Sequence, residues 1–222
     1  MDILSKKLTL NEIGLKHNSD KSSNYHDYLN LYDKHFDKHR LEKNKILEIG
    51  ILFGGSLNIF YEYFQDSFIY AIDIEDKRHL QKDRVEILIG DQSDRNFLNN
   101  FENDFFDIIL DDGSHKMNHQ QISLGALFKT LKSGGIYVLE DLHTSCAEYR
   151  ENVMYGESLF GLTKHNSTID FLNGIVNGKN INNYLTEDEY QYLCENTESV
   201  EIIETSRKND DEFSITSIIR KK

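Results

Sequence analysis

Five short apolar runs in the first two thirds of the chain, each closed by acids, constrain its fold most. They occupy residues 46–49, 68–73, 85–91, 105–112 and 136–141. Glu48 lies near the end of the first. The others close on Asp73, Asp91, Asp111-Asp112 and Glu140-Asp141. The runs are nearly continuous in β-branched and other apolar residues, as strands buried on both faces of a parallel sheet are. Helix-length segments lie between them. Residues 57–64 follow the first run, and residues 117–131 follow the fourth and close at Ser133-Gly134-Gly135. This alternation predicts an α/β, doubly wound parallel sheet.

Both ends of the chain depart from that rhythm. Residues 8–40 read as an N-terminal helical cap, in which Tyr25, Tyr28, Leu29, Tyr32 and Phe36 recur at helical spacing as a core-facing stripe. Residues 166–177 and 186–196 read as helices, and 200–204 and 213–219 as strands around a polar turn at 206–211. Strands joined that tightly run antiparallel. The expected fold is a Rossmann-like seven-stranded sheet, mostly parallel, with a C-terminal antiparallel hairpin. A chain of 222 residues suits one domain. Its parts would be a cap over 1–40, a cofactor and metal core over 41–145, and a helical substrate region with the terminal hairpin over 146–222.

Composition removes several function classes. The formal net charge of −13 opposes binding to phosphate backbones, so no nucleic acid partner is expected. No apolar run approaches the roughly 20 residues that span a bilayer. The N-terminus lacks the apolar segment of a signal peptide. Cys146 and Cys194 have no metal-type spacing and make no disulfide framework. A cytoplasmic enzyme of small molecules fits, with homo-oligomerisation left open.

In open α/β sheets, ligands bind at the C-terminal ends of the strands. The first such end reads Glu48-Ile49-Gly50-Ile51-Leu52-Phe53-Gly54-Gly55-Ser56, a strand that turns into a helix. Bare backbone and the positive end of a helix meet there. An acid before the turn suits a cationic ligand better than a diphosphate, and a dinucleotide turn would want glycine where Leu52 stands. The contrast points to S-adenosylmethionine. Asp73 can accept hydrogen bonds from ribose hydroxyls. Asp91, with Gln92 beside it, can reach the adenine amino group. Each acid taken alone could equally cap a helix.

Two further clusters, Asp111-Asp112-Gly113-Ser114-His115 and Glu140-Asp141-Leu142-His143, follow neighbouring strands and should face one another. Asp112, Glu140 and Asp141 would make an all-oxygen set suited to Mg²⁺, or to Mn²⁺ in its place. Without a cation, three packed carboxylates would raise at least one pKa strongly. His115, three residues beyond Asp112, is the candidate base for a polarised hydroxyl. It could otherwise be a loop residue capping the following helix. His119 and His143 read as supporting residues. Asp111 would hold the loop or touch the cofactor.

Taken together, Glu48-Ile49-Gly50…Gly54-Gly55-Ser56, Asp111-Asp112-Gly113-Ser114-His115 and Gly134-Gly135…Glu140-Asp141 resemble the macrocin and mycinamicin sugar O-methyltransferases. These have the class I S-adenosylmethionine-dependent methyltransferase fold. The resemblance implies that Glu48, Gly50, Gly54 and Ser56 lie near the methionine part of the donor. It implies that Asp112, Glu140 and Asp141 hold Mg²⁺ and that His115 is the base. Asn18-Ser19-Asp20-Lys21…Tyr25-His26 is similar to a further motif of the family, with Asn18 in place of its glycine. It implies contacts from Lys21, Tyr25 and His26 to the methionine carboxylate or the substrate. The likeness covers roughly residues 14–145. The implied activity is Mg²⁺-dependent methylation of a sugar hydroxyl, on a nucleotide-linked sugar of surface-polysaccharide or natural-product biosynthesis. Two alternatives remain open. One is a metal-dependent methyltransferase of catechols or phenols. The other is a Rossmann-type NAD-binding oxidoreductase or a noncatalytic nucleotide-binding module.

Overall fold

The computed structural model describes residues 7–146, 167–179, 181, 183–207 and 213–222. The expected polar turn of the hairpin falls largely outside them, as does most of the stretch between the fifth strand and the helix that begins at Thr168. The sheet runs β1 Lys45–Ile49, β2 Phe68–Asp73, β3 Val85–Ile89, β4 Phe106–Asp111, β5 Leu131–Leu139, β6 Thr197–Ser206 and β7 Phe213–Lys221. Its spatial order is β3-β2-β1-β4-β5-β7-β6. The first five strands pair in parallel, and β7 lies antiparallel between β5 and β6. This is the expected seven-stranded mixed sheet.

One boundary differs. Ser133-Gly134-Gly135 does not close a helix but lies inside β5, which starts at Leu131. The helix before it ends at Leu127 and tightens into a 3₁₀ turn over Phe128–Thr130. Phe106 pairs with Leu131, and the register shifts before Ile108 meets Ile136. The shift absorbs the glycine pair.

Side chains on a strand alternate between faces, so each strand feeds two cores. Ile46, Ile108, Leu110, Ile136 and Val138 pack on one face under the N-terminal cap. That cap comprises α1 Leu10–Lys16 and α2 Tyr28–Phe36, joined on this face by α3 Gly55–Tyr63. Tyr28, Leu29, Tyr32 and Phe36 are buried, so the predicted stripe is core. Tyr25 precedes α2 and is half-buried. Leu47, Ile49, Ile109, Tyr137 and Leu139 face the other way. Packed there are α5 Met117–Leu127, α6 Thr168–Val176 and α7 Glu187–Asn196. A short α4, Arg95–Leu98, follows β3. Capping boxes at Thr9–Glu12 and Thr186–Glu189 start α1 and α7 by satisfying free backbone N–H groups. No helix among the described residues is long and apolar enough to cross a membrane.

Candidate active site

The ends of β1, β2, β4 and β5, with the loop that follows α1, enclose a cavity of about 920 Å³. Strand alternation decides which acids reach it. Asp111 shares the face of Ile109 and points away from the cap, into the layer beneath α5. There it accepts hydrogen bonds from Gln92 (3.0 Å), the Tyr137 hydroxyl (3.1 Å) and Ser123. Burial pushes its carboxyl up to about 6, against those hydrogen bonds. Of the two roles expected of Asp111, holding the loop or touching the cofactor, these bonds correspond to the first, and Asp111 is not among the residues that line the cavity. Asp112, one residue on, reaches the opposite side and lines the cavity.

Asp112 and Glu140 share one ammonium. Lys21 Nζ bonds Asp112 Oδ2 and Glu140 Oε2 at once. Burial opposes the lysine's charge, but Asp112 and Glu140 outweigh it and hold Lys21 well above its ordinary value. Glu140 is 1% exposed, and its Oε1 has no hydrogen-bond partner. Asp141 sits beside it in a left-handed backbone conformation (φ 54°) and accepts a hydrogen bond from the Tyr28 hydroxyl at 3.0 Å. Its own burial works against its charge, yet His115, His143, His26 and Lys21 together keep its pKa low.

His115 lies between the two aspartates. Its Nε2 is 3.6 Å from Asp141 Oδ2, and its Nδ1 is 3.9 Å from Asp112 Oδ1. The backbone of His115 is also left-handed (φ 58°), a conformation that surrounding structure must enforce. Gly113 supplies part of that constraint. A Cβ there would lie 2.0 Å from Gln92 Oε1, which accepts from the Ser114 amide at 2.6 Å. Asp112, His115 and Asp141 each offer an atom within 4.8 Å of the others. The set differs from the expected carboxylate triad in having His115 where Glu140 was expected.

The residues suit a hard divalent cation. Three carboxylates converge and two of them share a single ammonium, while one buried carboxylate oxygen has no hydrogen-bond partner. Oxygen-rich, anionic sites of this kind favour Mg²⁺ or Mn²⁺.

The opposite wall carries the donor candidates. Gly50 adopts φ 88°, and a Cβ on it would stand 2.1 Å from the Asp112 carbonyl oxygen. Only glycine lets β1 and β4 approach so closely at this edge. Asp73 lines the cavity and accepts from the Ile51 and Glu75 amides at 2.9 and 2.8 Å. Asp91 and Gln92 also line it. Burial works against the charge of Asp91, which the Ser93 amide and hydroxyl nevertheless hold below its ordinary value. Ser56, near the start of α3, is on the wall.

Other predicted residues stand behind the wall. Glu48 is 1% exposed and beneath it. Burial pushes its carboxyl up to about 7, with the Ser56 hydroxyl and Lys21 pulling the other way. Gly54 is the left-handed N-cap of α3 (φ 80°). Tyr25 packs edge-on against His26, 4.5 Å between ring centres, and it is His26 that lines the cavity. Burial lowers His143 to about 4, so it is neutral near pH 7. His119 bonds Ser114 Oγ at 3.0 Å on the cavity wall. Asn18 and Leu52, where glycines are expected, both take positive φ (53° and 49°). The turns are therefore kept, at some strain for leucine.

Sequence reasoning missed two contributions. By spacing Tyr28 belongs to the core stripe, yet its hydroxyl donates to Asp141. The terminal hairpin also reaches the site, because Ser214 Oγ of β7 lies 2.6 Å from His26 Nδ1 and accepts from Arg207 Nε at 2.8 Å. Neither contact leaves a local pattern.

No family model matches the chain. Over 150 residues it is 39% identical to demethylmacrocin O-methyltransferase of Streptomyces fradiae, covering 64% of this chain and 38% of that protein. Mycinamicin VI 2''-O-methyltransferase of Micromonospora griseorubida is 36% identical over 150 residues, with the same two coverages. The chain thus spans about two fifths of the length of these curated relatives. Among solved structures, the MycE methyltransferase of the mycinamycin biosynthetic pathway, in complex with Mg, SAH and mycinamycin VI, superposes with a TM-score of 0.75. It is 26% identical, and the match covers 98% of this chain and 55% of that one. The chain is similar in sequence to macrocin-type sugar O-methyltransferases and has the class I methyltransferase fold of MycE.

Proposed function

We propose that this chain transfers a methyl group from S-adenosylmethionine to a hydroxyl of a sugar, with Mg²⁺ or Mn²⁺ at the acceptor. The observation that carries this reading is the convergence of Asp112, His115 and Asp141 at one end of a cavity whose other wall bears Gly50, Ser56, Asp73 and Asp91. When bound, the donor supplies a methyl on a sulfonium, and the cation supplies Lewis acidity towards the hydroxyl. Asp112 and Asp141, with Glu140, would hold the ion. Asp73 would take the ribose, and Asp91 with Gln92 the adenine.

His115 is the base. It takes the hydroxyl proton on a ring nitrogen as the oxygen lone pair forms the bond to the methyl carbon. The donor would give up its methyl to that oxygen, keep the electron pair of the broken carbon–sulfur bond and leave as S-adenosylhomocysteine. The flanking Asp112 and Asp141 carboxylates, 3.9 and 3.6 Å from its ring nitrogens, orient the imidazole. His143 is a poorer candidate, since burial holds its conjugate acid far below neutrality.

The acceptor we favour is a sugar already joined to a larger small molecule, because other relatives are named for rhamnosyl-tetracenomycin-C and L-olivosyl-oleandolide acceptors. A nucleotide-linked sugar of polysaccharide biosynthesis is the reading to compare with it, and a panel of both acceptor types separates the two. His115→Ala and Asp112→Asn should each lower transfer at least about 100-fold. Both should retain S-adenosylhomocysteine binding by calorimetry. Undiminished transfer by His115→Ala would remove the base, and full activity in EDTA would remove the cation.

A further inference from the structure

Lys21 was expected at the donor or the substrate. Its ammonium is instead inserted between two carboxylates assigned to the cation. It comes from the loop after α1 and bonds Asp112 and Glu140, residues 91 and 119 positions away. Its side chain is 8% exposed, so the contact is not a surface ion pair. The two oxygens it bridges, Asp112 Oδ2 and Glu140 Oε2, both lie in contact with the same Nζ. An ion ligated by both oxygens would meet that ammonium at close range. Two cations sharing the same pair of oxygens would repel each other at contact distance in a poorly solvated pocket. Glu140 Oε1 already lacks a hydrogen-bond partner, so losing Lys21 would leave this buried carboxylate without its counter-charge unless a cation replaced it. Lys21 also lines the cavity, which gives its flexible stem somewhere to turn.

We infer that Lys21 is an internal competitor for the divalent cation: its ammonium clamps Asp112 and Glu140 until the ion takes its place, and its side chain then swings into the cavity. The inference rests on the cation reading above. On it, Lys21 sets the affinity of the site. It keeps the acids paired without metal and lets only an ion that outbids two charge-assisted hydrogen bonds settle there.

The test is Mn²⁺ titration of the intact chain by calorimetry and electron paramagnetic resonance, comparing wild type with Lys21→Met. The variant should bind Mn²⁺ at least tenfold more tightly. In EDTA its melting temperature should fall below that of wild type, and saturating Mn²⁺ should recover the difference. Equal or weaker Mn²⁺ binding by the variant, with wild type binding normally, overturns the inference and leaves the cation reading standing. Absence of Mn²⁺ binding by both proteins defeats the cation reading and the inference with it. Should the variant fail to fold, pulse acetylation of wild type decides, read at the peptide carrying Lys21. Lys21 should be protected in EDTA and become reactive with Mn²⁺. Unchanged protection in the presence of bound Mn²⁺ overturns the exchange.

Discussion

Glu48 offers a stability measurement that isolates one buried carboxyl. It sits on the cap face of β1, fully buried, and burial lifts its pKa from an ordinary 4.5 to about 7. Between those values the unfolded chain has released the proton and the folded chain still holds it. Folding therefore binds a proton, and stability falls as pH rises across the window. The gap, at about 1.4 kcal/mol per pH unit, makes a loss of ~3 kcal/mol between pH 4.5 and 7.5. Glu48→Gln keeps the shape and removes the titration. Urea denaturation of both proteins in EDTA, from pH 4.5 to 8, should therefore show the variant gaining on wild type by about 2–3 kcal/mol, most of it between pH 5 and 7. Titrating groups that do not interact with Glu48 cancel in the difference, including Asp111, whose carboxyl is raised for the same reason. A difference flat to within about 0.5 kcal/mol would refute the claim that Glu48 is held protonated by burial, as would a gain that grows towards acid pH.

Two further substitutions probe how the site is held. Gly50→Ala places a methyl against the Asp112 carbonyl and keeps a positive φ, so it should cost about 2–4 kcal/mol of stability and weaken both S-adenosylhomocysteine and Mn²⁺ binding. Denaturation and calorimetry measure these, and a fully stable variant would show that the edge is looser than its geometry. Tyr28→Phe removes the hydroxyl that bonds Asp141 at 3.0 Å. It should cost about 1.5–3 kcal/mol and weaken Mn²⁺ binding while leaving donor affinity near wild type, as parallel titrations would reveal.

What the chain's text discloses about its fold follows from how local each signal is. Strands β1 to β4 were legible because each is a dense apolar run, and the hairpin because its strands have almost no chain between them. The start of β5 was not. Lys132-Ser133-Gly134-Gly135 carries neither apolar alternation nor β propensity, and the pairing of Phe106 with Leu131 draws it into the sheet from outside. The candidate site divides the same way. Acids at strand ends were visible, because topology sends every parallel strand's C-terminal end to one edge. Their directions were recoverable too. Counting by twos from Ile109 puts Asp111 under α5 and sends Asp112 back towards the cap, which is where they lie. Glu140 follows from Ile136 and Val138 in the same way. The partner of those acids was not recoverable, because nothing near Asp112 or Glu140 announces a lysine 91 and 119 residues earlier. Its motif suggested a ligand contact, and only the folding of the cap over the sheet turns that lysine into the counter-charge of the acids. The strand ends thus set which oxygens converge, while the cap sets what occupies them, so a relative that kept every acid but replaced Lys21 should differ in its affinity for the ion before it differs in fold.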